Sequence, residues 1–151
     1  MATWETRTTV AGEPEQVLEV LTDPDAARRW SPIGFELEAI EGDRLRSGTH
    51  AVLSGKLAGR GVKFEVHVLK ASGGQLELHA KGPVEMEVLY DAVPVDCCRS
   101  EVTAQVNVRS AGGILGRMLS SATDALLAGG ALAVAVQSVA REVEQTYALA
   151  A

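Results

Sequence analysis

Hydrophobic and polar positions divide this chain into three regimes. Thr3 to Val10 sets β-branched residues between charged ones, which predicts a first strand. Gly12 to Pro32 (GEPEQVLEVLTDPDAARRWSP) predicts two short helices in tandem. Pro14 suits the first turn of a helix carrying Val17, Leu18 and Leu21, and Asp23 followed by Pro24 reads as an N-cap with proline at the first helical position. That second helix ends near Trp30, because Pro32 forces Ser31 out of the helical region.

From there to Arg109 the period changes from 3.6 to 2. Phe35, Leu37 and Ala39 alternate with Glu36, Glu38 and Ile40, and Val52 and Ser54 alternate with Leu53 and Gly55. Val62, Phe64, Val66 and Val68 alternate with Lys63, Glu65 and His67; Leu76, Leu78 and Ala80 alternate with Glu77, His79 and Lys81. Val84, Met86, Val88 and Tyr90 alternate with Glu85, Glu87 and Asp91, and Val102, Ala104, Val106 and Val108 with Thr103, Gln105 and Asn107. Glycine- and proline-rich breaks separate these runs. With the first strand they predict a seven-stranded antiparallel sheet, apolar on one face and wet on the other.

The last regime, Gly113 to Tyr147, returns to helical spacing: Leu115, Met118, Leu119, Ala122, Leu126, Ala133, Val136, Ala140 and Val143 recur at steps of three and four. One helix of that extent would run roughly 50 Å, longer than a sheet of ordinary strands, so it overhangs or it breaks, and Gly116 and the Gly129-Gly130 pair are the expected hinges. Ala128 to Ala131 and Ala133 are small residues that leave space beneath the helix. Only this C-terminal region is long enough to cover the apolar face of the sheet. A twisted sheet under a straight helix leaves a hollow between them. The expected fold is α+β, in the order strand, two helices, six strands, long helix, as a single domain over residues 1–151.

Composition restricts the function classes. Hydrophobic residues at 46% and charged residues at 23% are a globular balance. The net charge of −6 makes a nucleic acid or an anionic membrane a poor partner. No basic segment followed by an apolar core opens the chain, and the most apolar stretch, Ala125 to Val136, is too short for a bilayer, so a cytoplasmic protein without stable membrane insertion is expected. Cys97 and Cys98 are adjacent, which on a strand sends them to opposite faces, one buried and one at the surface, as reduced thiols. Neither they nor the histidines have metal-ligand spacing, and no cofactor is expected.

Candidate chemistry is sparse. His67 and His79 share the polar register of their strands, whereas His50 falls on one face with Lys56 and either face can turn inward. The carboxylates lie mainly opposite the apolar registers, as a solvated face does. AGGILG (Ala111 to Gly116) lacks the first glycine of a dinucleotide loop and no strand follows its helix, so it reads as a flexible entry to that helix. GxSxG and P-loop motifs do not occur. What remains is a pocket wall of Trp30, Phe35, Val52, Phe64, Val66, Leu78 and Met86 from the first two thirds, with Leu126, Gly129, Ala133 and Val136 from the last helix. Tyr90, His50 and Ser54 are its polar handles, and the same apolar positions also fit plain core packing.

VAGEPEQVLEVLTDPDAARRWSP (Val10 to Pro32) resembles the START-like, or SRPBCC, superfamily in its strand, small residue and proline, apolar helix, Asp, short helix and Trp. GGILGRML (Gly112 to Leu119) is similar to the superfamily's carbon monoxide dehydrogenase-related branch, and the element order carries the resemblance over the whole chain. The superfamily includes the birch pollen allergen, polyketide cyclases and aromatase/cyclases, and lipid-transfer domains. The resemblance implies a helix-grip fold around an elongated apolar cavity, with no single reaction. The expected function is binding or sequestration of a hydrophobic small molecule, lipid or polyketide-like, by a monomer or homodimer. The alternatives are a polyketide cyclase or dehydratase, with Tyr90 and His50 moving protons, and a self-resistance protein of a natural-product cluster.

Overall fold

In a computed structural model, which describes residues 2–30, 35–40, 42–57, 59–110 and 113–148, strand β1 (Ala2–Val10) leads into α1 (Pro14–Thr22) and α2 (Pro24–Trp30). Strands β2 (Phe35–Ile40), β3 (His50–Leu57), β4 (Arg60–Ser72), β5 (Gln75–Lys81), β6 (Val84–Pro94) and β7 (Ser100–Ser110) follow, and α3 (Gly113–Ala128) and α4 (Ala131–Ala148) complete the described chain. The strands form one antiparallel sheet in the order β1-β7-β6-β5-β4-β3-β2, so the first strand is paired with the last. This is the α+β architecture that the hydrophobic pattern and element order predict, in the helix-grip-like arrangement that the resemblance implies.

Local chemistry sets the helix starts. Pro14 opens α1, and the Gln16 side chain accepts the Glu13 backbone N–H at 2.9 Å in a capping box. Asp23 Oδ1 accepts the Asp25 N–H at 3.0 Å ahead of α2, the capping role expected for an aspartate before proline.

The long terminal helix is corrected to two. α3 ends at the glycine pair, where the Gly129 N–H donates to Ala125 O at 3.0 Å and Gly130 turns the chain at φ 93°. α4 then sets off at 58° to α3. The break falls at one of the two expected hinges, while Gly116 lies inside α3. Small residues therefore make a corner here, not a thin stretch of one continuous helix. Among the described residues no single helix is long and apolar enough to cross a membrane.

α4 lies along β1 and packs on α1 and α2. It comes so close to the loop after β1 that a Cβ on Gly12 would stand 2.6 Å from Val143 Cγ1. Ser100 Oγ donates to Gly12 O at 2.7 Å in the interior, tying β7 to the same loop. At the surface the Tyr147 hydroxyl donates to Glu19, and Arg29 Nε meets Glu142 Oε1 at 2.8 Å. α3 takes a different path, touching β7, β6 and β3 as well as α4.

The main core gathers Val10, Val17, Leu21, Val68, Leu76 and Val102 beneath α1 and α4, each side chain fully buried and contributing about 1.5–3 kcal/mol. Two registers depart from the expected alternation. β2 is bulged between Leu37 and Ala39, so Ile40, not Ala39, packs inward, where it joins a second cluster around Ala51, Val66 and Ala80. On β3 it is Ala51 and Leu53 that turn toward the helices, opposite Val66 and Phe64.

The cysteines are corrected too. Cys97 and Cys98 lie in the turn between β6 and β7, and both are exposed. Asp96 organises that turn: its carboxylate accepts the Cys98 N–H at 2.9 Å and the Arg99 Nε–H at 2.8 Å, which hold its pKa below the ordinary carboxylate range.

Candidate functional site

The concave side of the sheet, roofed by α1 and α4 and crossed by α3, is where the sequence pattern puts a binding site. Side chains alternate across a strand, so one face of β3 to β6 points at the helices. Near α1 that face is sealed, with Val68 and Leu76 fully buried and Tyr90 only 2% exposed. Farther along the same strands, Leu53, Phe64, Leu78, Met86 and Val88 also face inward and pack against the core clusters, but they are only partly buried. Inward-facing side chains that solvent still reaches are what the wall of an unfilled space would present. Its wall is aliphatic with one phenyl ring, a surface suited to apolar ligands.

Of the expected wall, Phe64, Val66, Leu78, Met86 and Tyr90 all lie on this inner face. Val136 is fully buried in the main core, and Ala133 is half-buried near the start of α4. Gly129 sits in the corner between the helices, and Leu126 is 38% exposed while Leu127 beside it is buried. The side chains of Trp30 and Phe35 lie outside those described. Val52 and Ser54 are corrected: opposite Glu65 and Lys63, they face away from the helices. Ser54 borders an open depression of about 840 Å³ at the edge of the sheet, whose rim carries Glu36, Lys56 and Lys63 beside Val62.

His50 is also on the outer face. It stands opposite His67 with ring centroids 4.3 Å apart, and His67 stands opposite His79, so all three histidines form one row across β3, β4 and β5. His79 Nε2 lies 3.9 Å from Glu85 Oε2. A sheet thickness separates this row from Tyr90, so His50 and Tyr90 cannot serve one substrate as an acid–base pair. Among the described residues no group of three or more His, Cys, Asp or Glu side chains is placed to hold a metal ion.

The tyrosines carry a testable pH signature. Burial raises Tyr90 well above the ordinary tyrosine range, and burial together with the hydrogen bond to Glu19 pushes Tyr147 up to about 12. Raised native pKa values leave the fold at full stability below the unfolded value near 10, and that stability is lost as pH climbs through 12. The phenolate of buried Tyr90 should therefore appear only together with loss of far-ultraviolet circular dichroism. Both phenolates appearing near pH 10 in a chain whose dichroism is unchanged would contradict the burial of Tyr90.

Pattern reasoning missed three side chains. Trp4 Nε1 on β1, and Ser120 Oγ and Asp124 Oδ1 on α3, are buried with no hydrogen-bond partner among the described residues. Polar residues on an amphipathic helix read as solvent-facing, so their spacing of four was the only available signal.

No protein-family model and no curated protein matches this sequence. Solved structures do match over nearly its full length. A START superfamily protein from Mycobacterium smegmatis shares 19% identity, covering 95% of this chain and 98% of its own, with a TM-score of 0.69. The Zhui aromatase/cyclase from a Streptomyces species shares 19% identity over 95% of this chain and 94% of its own, with a TM-score of 0.67. Norcoclaurine synthase from Thalictrum flavum, solved with dopamine and hydroxybenzaldehyde, shares 14% identity over 95% of this chain and 87% of its own, with a TM-score of 0.66. The fold of this chain is the START-like, SRPBCC-type helix-grip fold.

Proposed function

We propose that the chain binds a hydrophobic small molecule between the concave face of its sheet and helices α3 and α4. The observation that carries this reading is the set of inward-facing but incompletely buried side chains, Leu53, Phe64, Leu78, Met86 and Val88. A fully packed core would close over them. Solved structures of this fold include an aromatase/cyclase and a norcoclaurine synthase holding dopamine and hydroxybenzaldehyde, which favours an aromatic or polycyclic ligand here. The geometry supports binding over acid–base catalysis, because His50 faces the other way and a buried Tyr90 keeps its proton.

Filling the space tests the reading. Met86→Trp adds volume at its centre. If the space is open, the indole enters it, the melting temperature changes by a few degrees at most, and affinity for a fused-ring aromatic falls at least about tenfold by isothermal titration calorimetry. A solid interior gives the opposite pattern, with about 1–3 kcal/mol lost to overpacking and no titratable ligand in the unaltered chain.

A further inference from the structure

Resting on that reading, we propose that Ser120 and Asp124 form the polar anchor of the site, and that they select an apolar ligand ending in a hydroxyl group over one ending in an ether or a carboxylate. The two residues are one helical turn apart and so share a side of α3. They flank the line of buried residues Leu119, Thr123 and Leu127 by which α3 is seated. Thr123, the other hydroxyl on that side, is satisfied within its own helix, donating to Leu119 O at 2.8 Å. Ser120 Oγ and Asp124 Oδ1 have no such outlet: both atoms are buried and unpartnered among the described residues. The indole N–H of Trp4, itself unpartnered, makes no hydrogen bond to either.

The chemistry of the pair defines what completes it. A carboxylate oxygen only accepts, whereas a serine hydroxyl both donates and accepts. A ligand hydroxyl can donate to Asp124 Oδ1 and accept from Ser120, satisfying both buried atoms at once. An ether can only accept and leaves Asp124 unpaired, and a ligand carboxylate would set a second negative charge against it. Position agrees with this role. α3 touches β6 and β3, the strands that carry Met86, Val88 and Leu53, so a ligand whose apolar body rests on those side chains reaches toward α3 with its polar end.

The test titrates the full chain calorimetrically with naphthol, methoxynaphthalene and naphthoate, three probes with the same ring system. Naphthol should bind at least about tenfold more tightly than the other two, the worth of one charge-assisted hydrogen bond. Asp124→Asn, close in shape and able to donate through its amide, should erase the preference over the ether and recover binding of naphthoate. Ser120→Ala should weaken naphthol alone. Trp4→Phe should leave the ranking unchanged, whereas a shifted ranking in that variant would assign Asp124 to the indole and overturn the anchor. Equal binding of the three probes, or a preference that survives Asp124→Asn, overturns the anchor while the cavity reading stands. Failure of all three to bind overturns both.

Discussion

Gly74→Ala should destabilise the fold by about 3 kcal/mol, far more than the same change one residue earlier. Gly74 closes the tight connection between β4 and β5 with φ at +76°, a region that costs an L-residue about 1–2 kcal/mol. It is also wedged. A Cβ there would stand 2.7 Å from Ala92 O and 3.0 Å from Pro14 Cβ, and Gly74 O accepts the Ala92 N–H at 2.9 Å. The turn thus fits between the start of α1 and the far end of β6, and the methyl group meets backbone that cannot swing away. Gly73, at φ +61°, has open space where its Cβ would be, so Gly73→Ala carries the conformational penalty alone. For a domain of this size the difference corresponds to roughly 2–4 °C per kcal/mol in melting temperature. Thermal melts of the two variants check it. Equal losses would mean that the contact of Gly74 with Ala92 and Pro14 contributes nothing to stability.

Glycine also marks where sequence reading worked and where it stopped. The Gly129-Gly130 pair announced a corner because two poor helix formers interrupt an apolar run, and the corner is there. Its consequence was harder to see. A single helical phase drawn from Leu115 to Val143 runs through Leu126, but a break lets each helix choose its own phase. α3 seats Leu119, Thr123 and Leu127, and α4 seats Leu132, Val136, Val139 and Val143.

In the sheet, β4 to β7 were legible because their apolar and charged residues alternate cleanly. β3 reads HAVLSGKL, with Val52 beside Leu53 and Ser54 beside Gly55, so periodicity could not choose a face and only pairing with Phe64 and Val66 decides it. The bulge in β2 had no side-chain signature at all. The candidate site suffered most from this: the misplaced Val52, Ser54 and His50 all belong to the strand with the ambiguous pattern. Ser120 and Asp124 stayed hidden for another reason, since an isolated helix cannot reveal which of its polar residues a neighbouring sheet will cover.

The different seating of the two helices leads to the other large effect, in Leu119→Ala. α4 is held along its length by β1, α1 and α2, whereas α3 leaves much of its apolar surface to solvent: Ile114 is 88% exposed and Met118 43%. Among the described side chains of α3, Leu119 is the largest that is fully buried. Cutting it to alanine removes about 3 kcal/mol of transfer and cavity energy. Where that loss appears depends on the helix ends. Gly113 at φ +77° and Gly130 at φ +93° bound α3 with residues that turn the chain freely, so α3 can lift without unwinding α4. Amide hydrogen exchange over residues 113–128 should accelerate about a hundredfold, at about 1.4 kcal/mol per tenfold, while α4 and β1 respond much less. Val139→Ala on α4, equally buried, should instead raise exchange across both helices and the sheet. If Leu119→Ala speeds exchange uniformly through the chain, α3 and α4 open as one unit, and a ligand would have to enter the concave space by a route other than beneath α3.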